Sequence, residues 1–443
     1  MTSREESSFR SRYGHLFRAF RHRNYRLFYA GQGISLIGTW MQQVATGWLV
    51  YRMTDSPFLL GMVGFLGNAP SLLLAPVAGV LADRWSRHRL MFAIQGLAMV
   101  QALALAVLVL TGRITVPWIL VLSIVLGVVN AFDLPVRQAF VLDMIDDRDD
   151  LSNAIALNSS MVNGSRLIGP SLAGILIGIV GEGICFLANG LSYIAVIAAL
   201  AAMRIRPRQA EAQESSMVQH LKEGIRYAWE FKPIRDILML LSVVSLMAMP
   251  YIVLMPIFAR DVLKSGPHTL GFLMASVGVG ALVGAAIMAS RRSVRGLMRF
   301  IPLAAALFGA GLAAFSLSRS LPLSLVLMAV SGAGMMLHMN SCNTVLQTIA
   351  DEDKRGRIMS FYTVAFRGML PFGSLMAGSF AAWVGAPYTL MIGGLCCVLG
   401  ALLFARRLPK IRAAVRPIYV QQGIIAPPAV SQEQTRFVPP DQG

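Results

Sequence analysis

The chain has 443 residues, of which 56% are hydrophobic and only 14% are charged. A soluble domain is about 45–50% apolar and about 25% charged, so this composition excludes an ordinary soluble protein. The net charge of +17 would suit a nucleic-acid-binding protein. The distribution of the bases, described below, favours a membrane protein without a nucleic-acid partner.

Twelve apolar stretches follow one another along the chain, each long enough to cross a bilayer core of about 30 Å. Because a backbone in lipid must satisfy its own hydrogen bonds, we predict helices, and hence an all-α membrane protein. The predicted spans cover residues 27–50, 57–82, 90–111, 116–142, 151–180, 183–203, 236–259, 269–290, 300–318, 321–349, 358–384 and 387–405.

The longest internal polar segment separates the spans into two groups of six. We therefore predict two six-helix bundles, residues 27–203 and 236–405, joined by a linker at 204–235. Residues 1–26 are predicted to form a cytoplasmic segment, and 406–443, rich in Pro and Gln, a disordered cytoplasmic tail. An amphipathic helix is expected in the linker, with an apolar face of Val218, Leu221, Ile225, Ala228 and Trp229.

The basic residues indicate how the chain is oriented in the membrane. If the spans alternate from an inside N-terminus, 32 of the 39 bases lie on or near the inner side, counting Arg137 close to the inner end of its span, and 5 lie on the outer side. The other two, Arg166 and Arg367, fall deeper inside spans. This asymmetry follows the positive-inside rule, so both termini are predicted to be cytoplasmic.

Between the second and third spans the sequence reads GVLADRWSRHRLM, from Gly79 to Met91. Arg84, Arg87 and Arg89 suit the C-terminal end of a helix, whereas Asp83 opposes the helix dipole there by about 0.3–1 kcal/mol. Asp83 is therefore expected to interact with the N-terminus of another helix. The alternative is a solvated loop acid.

Two arginines inside spans suggest an internal repeat. A shift of 201 residues places Asp150 on Asp351, Arg166 on Arg367, and Pro170 on Pro371. An arginine at membrane depth must face a cavity or a partner. We therefore hypothesise that the cavity prefers neutral or anionic substrates, with one or both arginines on the anion. The alternative is that both are structural, bonded to backbone carbonyls and Asp133.

Other polar residues within the spans are candidates for a substrate or proton pathway. These candidates are Gln42, Gln43, Asp133, Arg137 and Asn340, together with the two arginines. Hydrogen bonding between helices is the competing interpretation for the amides. The four cysteines lie in apolar spans, and the sequence contains no metal-binding or catalytic motif. We expect no metal, no cofactor and no enzymatic activity.

Two motifs resemble those of a known family. Gly79, Leu81, Asp83, Arg84 and Arg87 match the G-x-L-x-D-R-x-G-R loop motif of the major facilitator superfamily, although Ser86 replaces its second glycine. The stretch RLIGPSLAG, Arg166 to Gly174, is similar to the fifth-helix motif of proton-driven exporters. The chain resembles the branch that includes enterobactin and macrolide exporters.

The resemblance implies specific roles. Asp83 would cap the N-terminus of helix 11, near Gly356 and Arg357, in the outward-open state. Arg87 would join the helix 4 acid Asp133. The residues implied in this conformational latch are Gly79, Asp83, Arg84, Arg87 and Asp133. The second copy of the motif has Met288 in place of the acid, so the latch is expected on one side only.

In the fifth helix, Gly169, Pro170 and Gly174 would form a tight seal against proton leak. The resulting prediction is a monomeric transporter in the bacterial plasma (inner) membrane, exporting amphipathic siderophore-like or drug-like molecules in exchange for protons. One alternative is a lipid or lysophospholipid transporter of the same fold. Another is a membrane receptor or scaffold that transports nothing.

Overall fold

The computed structural model describes residues 18–145, 147–205, 226–227, 229–291 and 293–425. Within these ranges the chain forms twelve long helices, preceded by a short 3-10 turn at Arg18–Arg21. The first six helices, α1 to α6, are Arg23–Thr54, Pro57–Arg84, Arg87–Leu110, Val116–Asp143, Arg148–Val180 and Glu182–Ala202. We call them the first half.

The second half contains α7 to α12. Helix α7 has three parts, Lys232–Met247, Tyr251–Ile257 and a π-helical turn at Phe258–Val262. The next three helices, α8 to α10, are Pro267–Ala289, Leu297–Leu317 and Leu321–Ile349, and α12 is Ala386–Gln421. Helix α11 comprises Arg355–Thr363, a π-helical turn at Val364–Gly368, and Leu370–Val384.

The predicted all-α membrane fold is confirmed. In the described part of the chain, ten helices are long and apolar enough to cross a membrane. The two others are α1, which carries amide side chains such as Gln32 and Gln42, and α11.

The two halves repeat one packing pattern. In the first half α1 packs on α5 and α6, α2 on α4, and α3 on α4 and α6. In the second half α7 packs on α11 and α12, α8 on α10, and α9 on α10 and α12. Adding six to each number converts the first pattern into the second, so the two bundles have the same topology.

The halves meet mainly where α5 crosses α8 and α2 crosses α11. At the first crossing, a Cβ placed on Gly174 would lie 2.9 Å from the Gly271 Cα and 2.9 Å from the Pro267 carbonyl oxygen. A Cβ atom has no room at such distances, so the backbones touch. The crossing lies near the end of the bundle where α1 ends and α2 begins, which we call the tight end. The opposite end, where α1 begins, is the terminal end.

The second crossing is built in the same way. A Cβ on Gly61 would lie 2.9 Å from the Gly378 Cα. Gly61 and Gly271 each follow the first proline of their helix by four residues, and Gly174 and Gly378 each precede the last valine of theirs by six. The two crossings are therefore equivalent under the internal repeat.

The structure corrects the predicted boundaries at both ends of the bundle. Helix α12 continues to Gln421, so residues 406–421 are helical instead of disordered. The apolar side chains of Ile411 and Val415 are buried, which explains why the helix continues. Near the N-terminus, the Ala19 amide donates to Asn153 Oδ1 at 3.0 Å, so the residues before α1 already pack on the first half. The predicted tail beyond 425 lies outside the described residues.

The linker is described only in part. Of its predicted amphipathic face, Trp229 is described and is exposed, while Val218, Leu221, Ile225 and Ala228 lie outside the described residues. Another linker residue, Tyr227, places its ring 4.4 Å from the Lys354 Nζ. The Asp351 carboxylate accepts a 3.0 Å hydrogen bond from the same ammonium group and raises its pKa. The end of the linker therefore contacts the loop before α11.

Candidate transport pathway

Arg166 of α5 lies between the two halves. Its guanidinium lies 5.5 Å from the centre of the Trp40 ring of α1, and its Nη2 lies 3.7 Å from the Met335 sulfur of α10. The buried Tyr251 hydroxyl of α7 is close enough to interact with the same guanidinium. An aromatic face, a thioether and a phenol thus surround this charge, and none of them is an anion.

Arg367 lies in the π-helical turn of α11, and its side chain is accessible. It is within electrostatic range of Asp133 and Arg137, which belong to α4 of the other half. Asp133 forms an ion pair with Arg137 at 3.2 Å and accepts a hydrogen bond from Gln95 Nε2 at 2.9 Å. The predicted pathway residues of α4 and α11 thus influence each other electrostatically across the boundary between the halves.

The two interior arginines occupy equivalent helices at different depths. Arg166 stands 14 residues before Val180, the end of α5, whereas Arg367 stands 17 residues before Val384, the end of this part of α11. Three residues correspond to about 4.5 Å along a helix. The 201-residue shift predicts that the two arginines lie at equivalent depths, whereas their depths along the helices differ by almost one turn.

The predicted amide residues divide into two groups. Gln42 is buried inside the first half, where its Nε2 donates to Gln101 Oε1 at 2.9 Å and its Oε1 accepts from Asn189 Nδ2 at 2.7 Å. This network joins α1, α3 and α6, so for Gln42 the structure favours the alternative of hydrogen bonding between helices. Gln43 is exposed on α1, and Asn340 is half-buried on α10. Their pathway roles stay predictions.

The face of α1 that carries Gln43 turns toward the second half. Gly47 lies one helical turn further along the same face, and a Cβ on it would lie 3.5 Å from the Pro256 ring of α7. Trp40, one turn before Gln43, contacts Arg166.

The fifth-helix motif serves close packing. A Cβ on Gly169 would lie 2.6 Å from the Trp40 Cβ, so this glycine allows α5 to approach α1. Gly174 belongs to the crossing with α8 described above, and Pro170 lies within the continuous helix α5. The structure thus shows Gly169 and Gly174 where neighbouring helices approach closely. The seal against protons stays a prediction.

The prediction that Arg87 joins Asp133 is wrong. Arg87 Nη1 forms an ion pair with Asp143 Oδ1 at 2.9 Å, and Asp133 is paired with Arg137 instead. Arg87 begins α3 at the terminal end, while Asp133 lies ten residues, or about 15 Å, deeper along α4 than Asp143. Gly79, Asp83 and Arg84 belong to α2. Their side-chain surroundings lie outside what the structure describes, so their part in the latch stays a prediction.

A polar cluster at the tight end was not predicted. The Tyr51 hydroxyl of α1 donates to Asp261 Oδ2, and the Arg260 guanidinium pairs with Asp55, so both contacts join the two halves. The Arg260 guanidinium also lies 5.5 Å from the centre of the Tyr51 ring. A hint is present in the sequence, because Arg260 is among the few bases assigned to the outer side. Its partner, about 205 positions away, cannot be identified from spacing.

The described residues contain no group of three His, Cys, Asp or Glu side chains able to hold a metal ion. All four cysteines are free thiols. Among the described residues, the groups between the halves include guanidinium groups, the carboxylates of Asp55, Asp133 and Asp261, amides, aromatic rings and thioethers.

Comparison with known proteins gives a consistent result. The model of a family described as transmembrane secretion effector matches residues 15–432. A staphyloferrin A transporter of Staphylococcus aureus is 23% identical over 87% of this chain and 97% of its own length. The multidrug efflux pump Tap of Mycolicibacterium fortuitum is 25% identical over 88% and 95%. Macrolide efflux protein A of Streptococcus pyogenes is 21% identical over 85% and 93%.

Solved structures share the fold. A bacterial homologue of the human lysosomal transporter Spinster, in an inward-facing and unoccupied conformation, has a TM-score of 0.67 at 13% identity. The match covers 92% of this chain and 99% of that one. A D-xylose–proton symporter has a TM-score of 0.68 at 15% identity, with 86% and 96% covered. The architecture is that of the major facilitator transporters.

Proposed function

The chain belongs to the transmembrane secretion effector family of the major facilitator superfamily, and we propose that it exports amphipathic siderophore-like or drug-like molecules by proton-coupled alternating access. It is a multi-pass efflux transporter of the superfamily, and its family and relatives are transporters, not enzymes. The substrate class, the protons and the mechanism are the parts that we propose.

One observation supports alternating access above the others. Two bundles of the same topology touch through two equivalent glycine crossings, and both crossings lie at the tight end. In transporters with internal repeats, substrates bind near the membrane midplane where the repeats meet. We infer that the pathway residues deeper in the bundle are reached from the terminal end.

Export is supported by the family description and by relatives named as efflux proteins. Siderophore-like and drug-like substrates are inferred from the names of the same relatives. We propose that the protein works as a monomer in the bacterial plasma membrane, surrounded by lipid.

The proposed orientation puts both termini and the linker in the cytoplasm, because 32 of 39 bases then lie on or near the inner side. Phosphatase fusions active only outside the membrane would test it. A fusion after Gly423, beyond α12, should be silent, and a fusion in the turn after Gly112 should be active. The opposite pattern would overturn the orientation.

Transport itself is tested in two steps. A panel of dyes, macrolides and carboxylate siderophores is screened for export from an efflux-deficient bacterial host. The best compound is then added to inside-out vesicles that carry a proton gradient. We expect substrate-dependent proton release with the wild-type chain and none with Gly174→Val, which cannot form the crossing with α8. Uptake without proton movement would refute proton coupling, and binding without transport would indicate a receptor.

A further inference from the structure

We propose that an acidic group of the exported molecule binds Arg367 of α11, and that Arg166 takes no part in this contact. The inference deepens the proposed function, on which it rests for the identity of the ligand as an exported molecule. It assigns the anion to one of the two interior arginines, which the sequence alone treats alike.

Arg367 carries a charge that the described residues do not neutralise. Its side chain is accessible and makes no ion pair or hydrogen bond with the part of the chain that the structure describes. A guanidinium at membrane depth costs at least about 2.5–3.5 kcal/mol on insertion scales. A bound anion would reduce that cost.

The nearby acid Asp133 is already occupied within the first half. Its Oδ2 pairs with Arg137 Nη2 at 3.2 Å, and its Oδ1 accepts a hydrogen bond from Gln95 Nε2 at 2.9 Å. The charges of Asp133, Arg137 and Arg367 sum to +1, so the charge of Arg367 is left over.

A carboxylate of the ligand would complement these three charges. It would bring the charge to zero and accept charge-assisted hydrogen bonds from the Arg367 guanidinium. The chemistry points to an amphipathic acid, with a carboxylate or a group of similar shape and charge.

Arg166 is different because its surroundings already accommodate the cation. The Trp40 ring face at 5.5 Å attracts the guanidinium, and Met335 and Tyr251 cover it on the side of the second half. It also lies nearer the tight end by about one helical turn. We assign Arg166 to positioning α5 against α1 and α10.

The test measures binding to the purified full-length protein in detergent, with no gradient. Two dyes with the same xanthene core are titrated at fixed ionic strength and followed by fluorescence anisotropy. One is the anion 5-carboxyfluorescein and the other is the cation rhodamine 6G. We expect Arg367→Gln to weaken carboxyfluorescein binding at least tenfold, Arg367→Lys to weaken it less than fivefold, and Arg166→Gln to weaken it less than threefold.

Rhodamine 6G reports general damage to the cavity, and its affinity should stay the same or increase in Arg367→Gln. Equal losses of carboxyfluorescein binding in Arg367→Gln and Arg166→Gln would overturn the assignment. So would a parallel loss of rhodamine binding, or no binding of carboxyfluorescein to the wild type. Because no transport is measured, a failure of proton-coupled export in vesicles would leave this result unaffected.

Discussion

At the tight end the two halves touch through glycine backbones and through the pairs Tyr51–Asp261 and Arg260–Asp55. At the terminal end, ion pairs such as Arg87–Asp143 and Arg407–Asp236 join residues of a single half. The contacts at the tight end hold the two halves to each other, whereas these ion pairs at the terminal end stabilise each half by itself. Substitutions at the two ends should therefore differ in what they change.

The largest effect is expected at the glycine crossings. Gly174→Ala and Gly61→Ala each introduce a Cβ within 2.9 Å of a backbone atom of the opposite half, and overpacking of this kind costs about 1–3 kcal/mol. We expect lower thermal midpoints and at least a fivefold loss of export. Gly164→Ala and Gly67→Ala are matched controls on the same helices, because nothing lies within 4 Å of their Cβ positions. Equal behaviour of the four variants would contradict the model of contact at the tight end.

The next effect concerns the polar contact between the halves. Tyr51→Phe and Asp261→Asn weaken a hydrogen bond to a charged group, worth about 1.5–3 kcal/mol. In a chain without its native cysteines, a cysteine at Gly47, opposite Pro256, should then react with a maleimide about tenfold faster. Glu182→Gln is the control, since Glu182 pairs with Arg52 of its own half at 2.8 Å. Faster labelling in that control as well would mean that any charge loss loosens this end.

A smaller effect is expected for Asp83. The Asp83→Asn variant should reach the membrane normally but transport about three- to tenfold more slowly, because the balance between inward-open and outward-open states shifts. Asp149→Asn, at an exposed acid in the first turn of α5, is the control. If Asp83→Asn transports at the wild-type rate, Asp83 has no part in the latch and is simply a solvated acid at the end of α2.

The smallest effect on the contact between the two halves is expected from Asp143→Asn. It removes one ion-pair partner of Arg87 within the first half and should lower the thermal midpoint slightly, at a cost of about 1 kcal/mol. The labelling rate at Gly47→Cys should not change, since both residues move with the same bundle. An altered labelling rate would show that this pair also controls the contact between the halves.

Much of the architecture could be predicted from composition and spacing. Spans of about 20 apolar residues leave little choice besides helices, and the charged segment 204–235 marks the division into two bundles. The end of α12 was missed because residues 406–421 carry bases and two prolines, which resemble a tail. Ile411 and Val415 provide the apolar contact that keeps this segment helical.

The site was predicted less completely. Charged residues within spans are rare, so Arg166, Arg367 and Asp133 were identified from the sequence. Their partners were not, because pairs such as Tyr51–Asp261 join residues 210 positions apart. Arg87 was assigned to Asp133 by resemblance, and only helix geometry reveals that Asp143 lies at the same depth as Arg87. The difference in surroundings between Arg166 and Arg367 depends on Trp40, Met335 and Asp133, which belong to three other helices.

The equivalence of the two glycine crossings has a mechanical consequence. Touching glycine backbones give close van der Waals contact without directional bonds between side chains, so at Gly174–Gly271 and Gly61–Gly378 the two bundles can turn against each other without breaking hydrogen bonds. Because the crossings are related by the internal repeat, the two contacts between the halves have the same local geometry. Rotation must also break the contacts of Tyr51 with Asp261 and of Arg260 with Asp55, so substitutions at these four residues should change the rate at which the halves rotate.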